Sequence, residues 1–339
     1  MMCRGLPGVQ IKCSAQRSTQ RSRQRHTANR CRFLSLVRVA SRQQGVAVIT
    51  ALLLTTLAIT IVASLFWQQQ VQVRAIENQR MQLQKQWVLR GALDWARLIL
   101  REDGKYSAID DLSEPWAVPL SETRLDRYVD AASREAASHA VLSGSMQDAQ
   151  ARLNLTRLAS AAQVQAVEVA VFERLLSAMR QNPSLARAAA EQIAASQRPA
   201  SDNSASRPIR FMQVDDLLAV PGFTPSVIAA IRDEVIFLPR PTPLNVNTAS
   251  ASALAARLPP LSLADATAVV ARRRNAAFRD LNDFDTRVPG VEHDPGELSV
   301  TTGFFLVNGR VSMREALLQV QALVERQGAL TRLIWMREV

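Results

Sequence analysis

The sequence predicts an α+β protein. A long N-terminal helix runs from lipid onto a body that ends in strands, with an Ala- and Leu-rich helical block between the two. Three features predict it. Val46 to Phe66, VAVITALLLTTLAITIVASLF, is 21 residues without a charge. Leu298 to Val339 returns to strand character in three stretches, LSVTTGFFLVNGRV, SMREALLQVQALVER and LTRLIWMREV. Between these ends, residues 156–296 form an Ala- and Leu-rich block punctuated by Pro and Gly, with helical rather than alternating periodicity.

The apolar run sets the first element. At a rise of about 1.5 Å per residue it is roughly 31 Å long, matching a hydrocarbon core of about 30 Å. Trp67 follows at interfacial depth, then a Gln run and Arg74. Its flanks are one-sided. Residues 1–45 carry ten Lys or Arg and no acid, and the first acidic residue is Glu77. That leaves 31 of the 41 basic residues facing all 30 acidic ones in the rest of the chain. The formal net charge of +11 therefore belongs to the N-terminal arm, and the body lacks the general basic field that attracts nucleic acid. The basic flank predicts a cytoplasmic N-terminus, with the body across the membrane. Cys3, Cys13 and Cys31 all lie in the arm, so without it the chain has no thiol for a disulfide, a metal or catalysis.

Residues 67–103 lack Pro and continue the helix as an amphipathic segment, with Asp103-Gly104 as its stop. Residues 104–155 and 297–339 then make the α/β body. Residues 139–155 read as a hairpin turning at QDAQ, and EALLQVQALVER fits both the strand and the helix period. Within the block, 164–195 is helical with a break at Asn182-Pro183, and 196–208 is a polar linker. FMQVDDLLAVPGFTPSVIAAIRDEV reads as helix, Pro-Gly turn, helix. Asn245 to Ser250 supplies cap-type residues for the next helix, and a closing turn falls near Asp283.

Catalytic signatures are missing. No GxSxG, GxxxxGK[ST] or HExxH occurs, and His139 and His293 show no ligand spacing, so no enzyme is expected. LNVNTASASALAARLP resembles the opening of a helix-hairpin-helix unit, which makes a membrane-anchored DNA receptor the alternative reading. The turn that follows, Leu258-Pro259-Pro260-Leu261-Ser262, has no Gly, and its two prolines have no N–H for a phosphate. Nucleic acid is therefore not an expected partner, although Arg272, Arg273 and Arg274 lie close by. Acidic residues gather at Asp280, Asp283, Asp285, Glu292, Asp294 and Glu297, and oxygen-rich loops of this kind hold Ca²⁺ in other proteins.

Secretory signals place their small residue after the apolar stretch. Here Gly45 precedes it, in SRQQGVAVITALLL. A basic leader, a Gly and an immediate apolar span resemble the type IV prepilin signal. With ARLNLTRL, VDDLLAVPGF, PLNVNTAS and RRRNAAFRDLNDF, nearly the whole chain after residue 45 resembles the K-type minor pseudopilins of bacterial type II secretion. The resemblance implies a pilin-like fold, a long N-terminal helix plus an antiparallel sheet with a large α-helical domain inserted at roughly residues 156–296, and an inner-membrane subunit with a periplasmic body. It also implies a prepilin peptidase cutting between Gly45 and Val46, with N-methylation of Val46. Pilins usually carry Glu as the fifth mature residue, to pair with the α-amine of the subunit ahead; Thr50 stands there, as suits a subunit at the filament tip. The implied partners are the I-, J- and H-type minor pseudopilins and the major pseudopilin. The implied role is filament initiation and export of folded proteins. No cofactor is implied as required. Calcium is implied as an associated ion, with Asp283, Asp285, Glu292, Asp294 and Glu297 as candidate ligands. A leader of 45 residues is long for this signal, and its Arg-, Ser- and Gln-rich composition also resembles a transit peptide; a start further downstream, within residues 1–37, is expected.

Overall fold

The computed structural model describes residues 44–124, 140–198, 209–313 and 316–339. The arm and its cysteines, His139 and most of the polar linker fall outside these. The chain divides into two compact units, 1–69 and 70–339. The described part of the first is helix, beginning α1 (Gln44–Tyr106), and from Val46 onward its side chains are exposed. The second unit contains the sheet and the remaining helices.

In the second unit, α1 buries Leu89, Leu93, Ala96 and Leu100, spaced four, three and four residues apart. That spacing is one stripe of a 3.6-residue helix. The stripe lies on a five-stranded antiparallel sheet: β1 (Leu120–Arg124), β2 (Ala140–Asp148), β9 (Phe304–Met313), β10 (Ala316–Gln327) and β11 (Leu330–Glu338), in that spatial order. Alternation gives the sheet two apolar faces. Leu142, Phe305, Val311, Leu318, Ala322 and Val324 pack with α1 and Trp116. Phe304, Leu306 and Leu323 point the other way, onto Ala149, Ile236 and Leu238. The stretch that fitted either period is therefore strand β10. Both of its faces meet apolar partners and both of its edges are paired, to β9 and β11, which a helix there could not satisfy.

Helix α1 ends three residues beyond the expected stop. Its last turn touches the β10–β11 hairpin, whose two-residue loop places Gly328 at φ +57°. A Cβ on Gly104 would lie 2.5 Å from the Gly328 carbonyl oxygen. Gly104→Ala must push the helix end off the hairpin and is expected to cost about 1–3 kcal/mol. Chemical denaturation of the full chain in detergent checks this; an unchanged midpoint would show that the contact yields freely.

Adjacent strands β2 and β9 are joined by residues 149–303, which leave the sheet. The expected 139–155 hairpin is not formed. β2 ends at Asp148, whose side chain accepts from the Gln150 N–H and caps a short 3₁₀ turn. The chain then crosses as β3 (Leu153–Asn154), which pairs in parallel with β6 (Val235–Ile236). Leu153, Leu155 and Leu158 are drawn into a separate core, and that burial overrides the local turn signal.

This core is built by helices at Ala166–Ala178, Leu185–Gln197, Pro225–Ile231, Ala251–Arg257, Leu263–Asn275 and Leu281–Arg287. The break at Asn182-Pro183 falls between the first two. Val214–Ala219 is a 3₁₀ segment rather than an α-helix, followed by the Pro-Gly turn with Gly222 at φ +96°. Four helices start on a side-chain cap. Thr224, Ser250, Ser262 and Asp280 accept from the N–H three residues on, at 3.4, 3.0, 3.2 and 2.7 Å. Asp283 is thus inside a helix capped by Asp280, not in a closing turn. Two short pairings complete the unit: β4 (Ala159–Ser160) with β5 (Gln163–Val164), and β7 (Leu244–Asn245) in parallel with β8 (Leu298–Ser299).

Candidate interaction helix and its buried anchor

Among the described residues, one helix, α1, is long and apolar enough to cross a membrane, counted from Val46 onward. Gly45, the proposed cut, lies in its first turn. Thr50 resolves its own polarity: its hydroxyl donates to the carbonyls of Val46 and Ala47, both at 3.0 Å. Thr55, Thr56 and Thr60 do the same to carbonyls three residues back. These four threonine hydroxyls need no outside partner, as suits an apolar medium.

Within the second unit, α1 also carries an outward stripe. Leu83, Trp87, Trp95 and Leu98 recur at helical spacing on the side away from Leu89, Leu93 and Leu100, with Trp87 68% and Trp95 48% exposed. Arg90 lies over the Trp87 ring at 5.6 Å. Two exposed tryptophans on one helix face are uncommon for a free surface and typical of an anchor for a partner.

The base of this helix is fixed by buried charge. Arg326 on β10 donates to Asp103 at 2.6 Å and forms a second ion pair with Asp110; all three side chains are buried. Asp110 also accepts from the Thr302 N–H at 2.7 Å. Its carbonyl accepts from Asn245, which donates as well to Asp148 at 2.8 Å. Thr248 donates to the same Asp148 oxygen. Gln150 accepts from the Gly303 N–H at 2.7 Å. One connected network therefore ties the end of α1, the ends of β2 and β10, and both flanks of the helical segment.

Burial pushes the Asp110 carboxyl up to about 6 against the pull of Arg326, and it raises Asp148 and Asp103 in the same direction. Raised carboxyls stabilise the fold most below their unfolded pKa, and that contribution is lost as pH rises through the folded value. For Asp110 the window runs from about 4 to about 6, at about 1.4 kcal/mol per pKa unit. At Glu168, burial is outweighed by Arg257 and Arg157, and at Glu325 by Arg240 and Arg332, so both carboxyls are lowered. Their stabilisation is present above about 4.5 and is lost as pH falls below it. Stability is therefore expected to peak between about pH 4 and 5 and to fall by roughly 3 kcal/mol toward pH 7. Denaturation midpoints measured from pH 3 to 8 check this, and a monotonic rise to pH 7 would contradict the burial argument.

The candidate calcium ligands lie along one stretch of chain, and several of them meet protein donors. Asp283 accepts from the Arg279 N–H at 3.1 Å and from Arg287 at 3.3 Å. Asp285 meets His293 at 3.1 Å. Glu297 accepts from the Asp294 N–H at 3.1 Å and approaches Arg257 at 3.5 Å. With Glu292 and Asp294, these acids do not form a three-carboxylate group among the described residues; Asp103, Asp110 and Glu114 do. That group is taken by protein donors, Arg326 on the two aspartates and the Trp116 indole N–H on Glu114 at 2.7 Å. Sequence spacing gave no sign of it, because its members become neighbours only through a loop after α1.

The nucleic-acid alternative loses the middle one of its three arginines to the core. Arg273 is buried and donates to the Val246 carbonyl at 2.6 Å, and burial lowers its pKa to about 10. Arg272 is directed to the Arg287 carbonyl. Ser262, at the end of the Pro-Pro turn, spends its oxygen on the Asp265 N–H.

A helix whose later part lies on an antiparallel sheet, preceded by an apolar exposed stretch, fits a pilin-like subunit with a membrane anchor, here with a helical segment set between two neighbouring strands. Residues 151–240 and 244–301 match the family described as type II secretion system (T2SS), protein K. The Type II secretion system protein K of Pseudomonas aeruginosa is 27% identical over 298 residues, covering 80% of this chain and 85% of that protein. A chain of the crystal structure of the GspK-GspI-GspJ complex from the enterotoxigenic Escherichia coli type 2 secretion system shares the fold. It superposes with a TM-score of 0.59 at 18% identity, over 78% of this chain and 98% of that one. By these likenesses the chain is similar to the minor pseudopilins of the type II secretion protein K family. That is a family of structural subunits and not a known enzyme class, and one long apolar N-terminal helix fits a single-pass membrane anchor. None of these likenesses points to a DNA receptor.

Proposed function

We propose that this chain is the tip subunit of the type II secretion pseudopilus. It is cut after Gly45 by the prepilin peptidase, N-methylated on Val46, and held in the inner membrane with its body in the periplasm. The observation that carries the reading is Thr50, whose hydroxyl is satisfied within its own helix. In an apolar layer an unpaired α-amine is costly, and a Glu at this position serves a subunit that has another ahead of it. A subunit at the tip has none ahead and needs no Glu.

The remaining features agree with that place. The helical segment adds bulk on one side of the sheet, where it would block addition of a further subunit. The outward Trp87–Trp95 stripe supplies a face for neighbouring helices, those of the I- and J-type minor pseudopilins first, then the H-type and the major pseudopilin. Complex formation with I and J is known from the Escherichia coli structure. The subunit does no chemistry; by starting assembly it supports export of folded proteins across the outer membrane. Co-purification from detergent-solubilised membranes tests the partners. The proposal expects the full chain to be recovered with the I- and J-type subunits, and recovery of the chain alone would overturn it.

A further inference from the structure

The sheet face turned away from α1 is covered by the helical segment over only part of its area. Beyond that cover, Leu306, Asn308, Gln321 and Trp335 border a cleft of about 220 Å³, closed opposite by residues 212–214 and 232–237. Three guanidinium groups line it, Arg152, Arg232 and Arg337, against one carboxylate, Asp233. Arg232 is already engaged, because both of its terminal nitrogens donate to Asp215.

The other two arginines hydrogen-bond to neutral acceptors, with Asp215 near Arg337 and Asp233 and Glu234 near Arg152 but none of these acids hydrogen-bonded to them. Arg337 donates to Gln321 at 2.6 Å and to Gln213, and lies over the Trp335 ring at 4.8 Å. Arg152 donates to Gln147 at 3.0 Å and to the Arg232 carbonyl at 3.3 Å. Its closest carboxylate, Asp233, is 3.7 Å away and 90% exposed. Burial lowers the Arg152 pKa, so its charge is only partly compensated. Glutamine oxygens fix the direction of a guanidinium without cancelling its charge, which leaves a rigid, pre-aimed cation. Such a pair suits a carboxylate, the anion whose geometry matches the planar fork.

We propose that this cleft docks an acidic polypeptide segment, with a side-chain carboxylate entering between Arg152 and Arg337. A chain suits the site better than a free anion because the cleft continues along the open sheet face. Ser143, Ser145, Asn308 and Gln319 border that continuation, and Arg310 adds a further positive charge. The spacing of alternate residues on one strand face matches the spacing of alternate side chains in an extended peptide. This inference stands apart from the tip assignment, since neither Thr50 nor the tryptophan stripe enters it.

The test is calorimetric titration of the full chain in non-ionic detergent with N-acetylated, C-amidated tetraglutamate, and with tetraglutamine as control. Tetraglutamate should bind and tetraglutamine should not. Arg337→Gln should weaken binding at least tenfold. Gln213→Glu, which sets an internal carboxylate on Arg337 without removing a cation, should weaken it similarly while the melting temperature stays at or above that of the parent chain. Acetate at matched concentration should not displace the peptide. Binding that ignores both substitutions, or that prefers neither peptide, would overturn the proposal, and equal displacement by acetate would overturn the polypeptide assignment.

Discussion

Replacing Arg326 by Met is expected to destabilise the second unit by about 3–5 kcal/mol, the usual cost of stripping one partner from a buried ion network. The guanidinium holds two carboxylates, Asp103 and Asp110, and packs on the Phe305 ring at 4.8 Å. Methionine keeps much of the packing and removes only the charge, so the loss reports the stranded acids. Two further results follow from the same geometry. Adding Asp103→Asn and Asp110→Asn to Arg326→Met should recover most of the loss, because neutral amides need no counter-charge. The defect should also shrink at pH 5, where Asp110, with its pKa raised to about 6, takes up a proton and ceases to need Arg326. Denaturation of the three chains at pH 5 and pH 7 measures all of this. An Arg326→Met chain as stable as its parent at pH 7 would show that the network does not anchor the helix.

The second large effect is expected at the outward stripe. Trp87→Ala with Trp95→Ala should weaken association with the partner pseudopilins by about 4 kcal/mol or more, close to a thousandfold, since exposed tryptophans on a partner-facing helix dominate interface energy. The folded chain itself should barely respond. Trp87 is largely solvent-exposed and Trp95 about half, so truncating them is expected to cost the fold no more than about 1 kcal/mol together. Paired measurements of partner recovery and melting temperature separate the two contributions. Loss of partners with little change in melting is the expected result. Loss of both would mean that the tryptophans support the body.

The parts of this molecule that sequence made legible are those set by local periodicity and by termini. The apolar run from Val46, the strands at the end of the chain, the break at Asn182-Pro183 and the cap at Ser250 each follow from spacing or from a single side chain. Residues 139–155 were not legible, because Asp148 ends its strand through Asn245 and Thr248, about a hundred residues away. No local turn signal encodes that contact. The same holds for the site. Gly45, Val46 and Thr50 are proposed from a linear pattern, the kind of feature that sequence can carry by itself. The Asp103–Asp110–Arg326 anchor and the arginine cleft could not be picked out, since their members come from different elements. Acidic loop residues such as Asp283 and Asp285 could be named from composition, which does not say which carboxylates would share one ion.

The account rests most heavily on Val46 becoming a new N-terminus. Intact mass and N-terminal sequencing of the membrane-extracted chain, from cells with and without the prepilin peptidase, tests it directly. The expected result is an N-methylated Val46 that appears only when the peptidase is present. An N-terminus still carrying the basic arm in both strains, or a cut beyond Phe66, would contradict the account.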